Sequence, residues 1–221
     1  MLFLFLLSGF LGENKMKQQL RVIRNFFVSL EYLIVGAANL YMRHRYLWRR
    51  TAVLLAKYGY FIYVIYGVVL WFAGKGGIQQ KKRRFAALQT LCSVLLGSAA
   101  SFAVGKVWKR MRPFQRYPEQ IQDLIAHKAN ASFPSNHMMN SWIIARTMAA
   151  NQISGSAMLT VWSILVGLSR IAVGVHYPSD LAGGMLLAEW SRRMTAKNRL
   201  LGVSIAFGIQ QYEKLEKILK K

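Results

Sequence analysis

The sequence predicts an all-α fold, a polytopic membrane bundle of five to six transmembrane helices. Three observations carry this. The 221-residue chain is 54% hydrophobic and 17% charged. Its apolar residues collect in long stretches, and a helix needs about 20 of them to cross a bilayer. Strand-like alternation is absent, and in lipid only helices or closed barrels satisfy the backbone. The formal net charge of +22 fits Lys and Arg gathered in loops and near anionic headgroups. Together these exclude a large soluble catalytic domain and a disordered chain. Nucleic acid is not an expected partner, because no basic run is interleaved with aromatics on a soluble surface. The single cysteine, Cys92, excludes a disulfide within one chain.

Each element follows in order. Residues 1–12 are apolar but too short to span, and they lack the charged n-region and cleavage site of a signal peptide. Residues 13–24 are charged and polar. Residues 25–42 are apolar but include Glu31, which suits a marginal span or a helix in the membrane interface. Residues 43–50 read as a basic loop. Residues 51–73 form the first strong span, with Lys57 near enough to one end to snorkel. A hydrophilic turn with five positive charges follows at 74–84. Further spans are predicted at 85–105, 135–151, 155–175 and 178–190, with 200–209 as a possible addition to the last. The polar stretch 106–134 carries three of the four prolines, and the chain ends in a basic amphipathic tail. The domain reading is an N-terminal apolar and basic segment (1–50), a catalytic transmembrane domain (51–195), and a C-terminal helix and tail (196–221).

Loop charge orients the bundle. The 74–84 turn and the tail after Trp190 together hold thirteen Lys and Arg, and the turn near residue 153 holds none. Five strong spans put all three on one side, read as cytoplasmic. Residues 106–134 and the 175–179 corner then lie outside. The former keeps six cations on the outer side, against the usual bias, which suggests that it uses them.

Three constellations converge there. GKVWKRMRPF holds Lys106 and Arg112; SFPSNHMMNS holds Ser135, Asn136 and His137; GLSRIAVGVHYPSD holds Ser169, Arg170, His176 and Asp180. One helical hairpin returns His176 towards His137. Guanidinium groups grip phosphate in a bidentate way, and lysine adds a point charge. Ser135 and the amides that open the following helix can face an anion. Pro178 suits a first helical turn, which places Asp180 in that turn and His176 just before it. Such a carboxylate holds one imidazole N–H and leaves the other nitrogen as a nucleophile. His137 could protonate a leaving oxygen. The set describes phosphoryl transfer through a phosphohistidine, with no metal or other cofactor needed. Arg146, Lys57 and Glu31 read as structurally partnered or snorkelling groups, and His44 and His127 as incidental.

The three motifs resemble those of the type 2 phosphatidic acid phosphatase superfamily, which also includes the vanadium haloperoxidases. SRIAVGVHYPSD matches the third family motif throughout. PSNH has Asn136 where the family has Gly, and KVWKRMRP has five residues between Lys and Arg rather than six. The resemblance covers residues 51–190 and implies the superfamily's helical core. It implies His176 as nucleophile, Asp180 as its orienting partner and His137 as general acid. Arg112, Arg170, Lys106 and Ser135, with the backbone around Asn136, would bind the phosphoryl group. The one-residue deletion turns Lys106 by about 100° on a helix, so either the chain unwinds before Pro113 or Lys109 shares the role. The compact size resembles bacterial undecaprenyl-diphosphate phosphatases of the bacitracin-resistance type. That resemblance implies a multi-pass plasma-membrane phosphatase with an outward-facing site, acting on an isoprenoid lipid diphosphate in cell-wall carrier recycling. Phosphatidic acid or phosphatidylglycerophosphate fits the same chemistry. Two other classes stay open: a non-enzymatic lipid-binding protein and a small transporter.

Overall fold

The computed structural model describes residues 13–72 and 76–219. The apolar stretch 1–12 therefore lies outside the described residues. Among the described residues all regular structure is helical. The elements are α1 (Glu13–His44), α2 (Tyr46–Tyr58), α3 (Phe61–Phe72), α4 (Gly77–Val107), α5 (Pro113–Arg116), α6 (Asn136–Ala150), α7 (Ser156–Ala172), α8 (Pro178–Lys197) and α9 (Arg199–Leu219).

Five passes build the bundle. Helix α4 is long and apolar enough to cross a membrane by itself, and α2 with α3 meets the same test as a pair bent by 49°. The bend falls at Gly59, where a Cβ would come within 2.8 Å of a Val166 methyl. Trp162 Nε1 donates to the Gly59 carbonyl at 2.8 Å there. Tyr63 meets Ser163 at 2.8 Å and Tyr66 donates to the Ser154 carbonyl at 2.6 Å. The pairings run downward along α3 as they run backward along α7, so the two are antiparallel. Helix α6 packs against α4, α7 and α8 at the centre. Large apolar side chains on the outer faces stay exposed, among them Ile65, Leu95, Ile164 and Leu186. Such a belt is a liability in water and is the natural surface in lipid.

Two sequence expectations are corrected. The basic loop at 43–50 is helical apart from a break at Arg45, and the described part of the 74–84 turn is the first two turns of α4 from Gly77 onward. Lys and Arg are good helix formers, and a helix that outruns the bilayer carries them without changing its backbone.

Helices α1 and α9 are amphipathic and lie at opposite ends. Asn39 donates to the carbonyls of Gln122 and Ala172 at 3.0 and 3.2 Å and accepts the Gln122 amide at 2.9 Å. Glu31 accepts the Ser179 amide at 3.0 Å, and Arg43 donates to the Gln120 carbonyl at 3.5 Å. Ser179, Gln120, Gln122 and Ala172 all sit where α7 ends and α8 begins. Residues 31 to 43 advance about 18 Å along the helix axis without leaving that end, so α1 lies across it. Helix α9 instead reaches Arg84, near the start of α4, through Tyr212, Glu213 and Glu216.

Candidate active site

The site forms where α4 and α7 end and α6 and α8 begin. Helix α8 opens with Pro178 at its first position and Asp180 two residues later. Asp180 Oδ2 accepts the Tyr177 amide at 2.8 Å and faces His176 Nδ1 at 3.4 Å. One carboxylate thus caps the helix and orients the imidazole. Gly174, at φ +81°, makes the turn that delivers His176; a Cβ there would meet the Gln122 carbonyl at 2.6 Å. The α6 segment is held against α8 by the Ser135 amide, which donates to the Asp180 carbonyl at 3.0 Å. Gly184 permits the approach, since a Cβ would sit 2.8 Å from the Ser135 carbonyl.

Arg112 lies on His176. Its Nη1 donates to the Val175 carbonyl at 2.8 Å and stands 3.2 Å from His176 Nε2. Nε and Nη2 donate to Asn130 Oδ1 at 3.1 and 2.7 Å, and Nη2 also reaches the Ala131 carbonyl at 3.0 Å. With Nδ1 turned to a carboxylate and Nε2 to a guanidinium, the geometry assigns the Nδ1–H tautomer and leaves a lone pair on Nε2. Burial lowers the His176 pKa from its ordinary value to about 4, with Asp180 opposing the shift and Arg112 and Arg170 adding to it. The ring is therefore neutral at physiological pH. Burial also brings Arg112 down to about 10, still fully charged at neutral pH.

Arg170 is the other buried guanidinium, 1% exposed. Its Nη1 donates to the Ala56 carbonyl at 2.8 Å, while Nε and Nη2 have no partner among the described residues. Ser135 is wholly buried, and its Oγ is also unpaired among the described residues although it occupies the N-cap position of α6. A serine there ordinarily caps the helix. Buried donors without partners cost about 1–3 kcal/mol each, a cost that an anion seated there would offset. His137, in the first turn of α6, sets its ring edge-on to Tyr60 at 5.8 Å. It lines a cavity of about 600 Å³ together with Tyr63, Leu91, Val94, Asn136 and Ile144.

The structure brings Arg112, Ser135, Arg170, His176 and Asp180 together, with His137 at the edge of the apolar cavity. Asn136 turns away: its Oδ1 accepts the Ser101 hydroxyl at 2.6 Å. Lys106 lies at the rim, its ammonium 4.7 Å from the Phe102 ring centre, in a recess it shares with Asn130 and Asn136. Helix α4 ends at Val107, so the chain is unwound before Pro113. Lys109 faces the adjoining cleft beside Lys106. Two residues escape sequence reading. Asn130 holds Arg112, and Arg110 binds Asp180 Oδ1 at 2.6 Å. Neither carries a local pattern; only the tertiary fold brings them in. Glu31 is indeed partnered, by Arg110. Arg146 pairs with Glu189 at 3.1 Å, away from the site.

A helical bundle with an oriented, neutral imidazole among buried unpaired donors has the equipment of a phosphoryl-transfer protein. Residues 86–194 match the model of the PAP2 superfamily. The chain is similar to undecaprenyl-diphosphatase BcrC of Bacillus subtilis, with 27% identity over 159 residues, covering 72% of this chain and 79% of that one. Two solved structures share the fold. Aquifex aeolicus LpxE superimposes with a TM-score of 0.61 at 19% identity, over 78% of this chain and 96% of that one. A PAP2-type phosphatidylglycerolphosphate phosphatase from Bacillus subtilis gives a TM-score of 0.52 at 22% identity, over 90% and 95%.

Proposed function

We propose that the chain is an integral membrane lipid phosphatase that works through a phosphohistidine and takes undecaprenyl diphosphate to undecaprenyl phosphate. One observation carries the reading: the unpaired donors of Arg170 and Ser135 beside the lone pair of His176. The terminal phosphoryl group seats on these donors. His176 Nε2 attacks phosphorus and the bond to the bridging oxygen breaks. His137 gives that oxygen its proton, releasing the lipid monophosphate. Water then attacks the phosphohistidine with His137 as base, the N–P bond breaks, and inorganic phosphate leaves. Arg112 spends all five N–H groups on protein atoms in the resting site. Once Nε2 bonds to phosphorus, the Nη1 proton it held turns to a phosphoryl oxygen. The contact that shields the nucleophile becomes one that stabilises charge on the phosphoryl group.

A lipid substrate is supported by the apolar cavity that opens from His137 between α3, α4 and α6. The isoprenoid reading draws on the similarity to the undecaprenyl-diphosphatase. A glycerolipid phosphate is the second reading, favoured by the wide structural overlap with the phosphatidylglycerolphosphate phosphatase. Phosphate release by purified protein, measured across isoprenyl diphosphates, phosphatidic acid and phosphatidylglycerophosphate, ranks them. The isoprenyl diphosphates are expected to give the highest kcat/KM, and activity is expected to survive EDTA. No release from any of the three would overturn the reading.

We further place the site on the outer face of a bacterial plasma membrane. The end that holds α9 and the start of α4 carries the greater share of loop cations. After Cys92→Ser, Gln79→Cys in intact cells is expected to resist an impermeant maleimide and Glu119→Cys to react. Both positions are exposed, at opposite ends. The reverse pattern would invert the topology.

A further inference from the structure

Helix α1 lies outside the matched family region of 86–194, yet one of its side chains enters the machinery. Glu31 Oε2 accepts from Arg110 Nη2 at 2.5 Å, and its other oxygen accepts the Ser179 amide at 3.0 Å. Arg110 Nη1 donates to Asp180 Oδ1 at 2.6 Å and to the Ser179 hydroxyl at 2.6 Å. The Arg110 guanidinium stacks 4.1 Å from the Tyr177 ring centre. Its backbone carbonyl accepts the Ser132 amide at 2.9 Å, just before the Ser135 segment. One arginine thus touches all three motif regions. Glu31 and Arg110 are only 14% and 19% exposed, so their charges are weakly screened.

Asp180 has two oxygens with different work. Oδ2 serves Tyr177 and His176, the latter at a long 3.4 Å. A contact that long leaves the carboxylate orientation to be set elsewhere: the Tyr177 amide fixes one oxygen, and the charge-assisted bond from Arg110 fixes the other. Glu31 in turn fixes Arg110, which could otherwise take several rotamers.

We propose that Glu31 and Arg110 are positioning residues: the chain Glu31–Arg110–Asp180 aims the His176 imidazole, and α1 completes the active site by supplying its first link. This rests on the lipid phosphatase reading, with His176 as nucleophile. Neither residue touches the phosphoryl group; both act through Asp180.

The test is steady-state kinetics on the full chain in detergent micelles, with farnesyl diphosphate as probe. Glu31→Gln is expected to lower kcat about five-fold and Arg110→Ala about thirty-fold, with KM within two-fold of the parent. Arg110→Lys is expected to recover part of kcat, since an ammonium can hold one carboxylate at a time. The double variant Glu31→Gln/Arg110→Ala is expected to be no slower than Arg110→Ala, because linked residues are not additive. Thermal melting and size-exclusion profiles identify variants that fail to fold. If Arg110→Ala does fail, the same cycle is read with Arg110→Lys in its place. Multiplying losses, or a KM that rises while kcat holds, would overturn the proposal. Failure of the parent protein to release phosphate would instead count against the lipid phosphatase reading.

Discussion

Both ends of the bundle bury arginine, and Arg84 at one end lives differently from Arg170 at the other. At the α9 end, Arg84 is 5% exposed. It donates to the Trp71 carbonyl at 3.3 Å, binds Glu216 at 3.0 Å and faces Glu213 at 3.7 Å. Its guanidinium lies 4.7 Å from the Tyr212 ring centre and 5.6 Å from that of Trp71. At the α1 end, Arg170 is more deeply buried and leaves Nε and Nη2 unpaired. A partnered buried arginine ties elements together. An unpartnered one carries a standing desolvation cost that only a ligand offsets. The contrast holds between Arg84 and Arg170; Arg112, fully bonded yet lying on His176 Nε2, stands between them.

Activity and stability, measured on the same variants, test that contrast. Arg170→Ala is expected to lower kcat/KM by about a thousand-fold or more, while the melting temperature stays the same or rises, because two unsatisfied donors are removed. A large fall in stability with little change per folded molecule would erase the distinction. Asp180→Asn is expected to lower kcat by about a hundred-fold, through loss of the tautomer that frees Nε2. The sign of its pH effect follows from the charges. Asp180 favours the protonated imidazole, while burial, Arg112 and Arg170 oppose it, and the balance stands at about 4. Without the carboxylate His176 protonates at still lower pH, so the acid limb of kcat/KM moves down; movement upward would contradict the geometry. Ser135→Ala is expected to cost about ten-fold in kcat/KM, one neutral donor's worth. Arg84→Ala is expected to leave kcat and KM unchanged while stability falls by about 2 kcal/mol, the range for a charged hydrogen-bonded pair, as read by thermal melting.

Legibility in the sequence divides along the same line. Helices α6, α7 and α8 are readable to within a few residues at their site ends, because Ser135 and Pro178 are local start signals. His176, Asp180, Arg112 and Arg170 stand out because their spacing is local chemistry. The helical runs through 46–50 and 77–84 are hidden, since charge shows where the membrane stops and says nothing about where a helix stops. Lys106 is expected from the sequence to bind phosphate; what the sequence hides is the unwinding at Trp108, which sets its ammonium at the rim over Phe102. Glu31, Arg110 and Asn130 are illegible for another reason. Their partners are 18 to 148 residues away, and no short-range pattern marks a contact closed only by the fold. Glu31 in an apolar stretch signals only that some partner must exist.

The most direct test is to trap the covalent intermediate. Undecaprenyl diphosphate labelled with ³²P in its terminal phosphate is mixed with the protein and quenched in alkali within milliseconds, and the label is mapped by peptide. An acid-labile, alkali-stable label is expected on the peptide that carries His176, lost in His176→Ala and lowered in Arg170→Ala. An active protein that carries no label, or carries it on another residue, would contradict it.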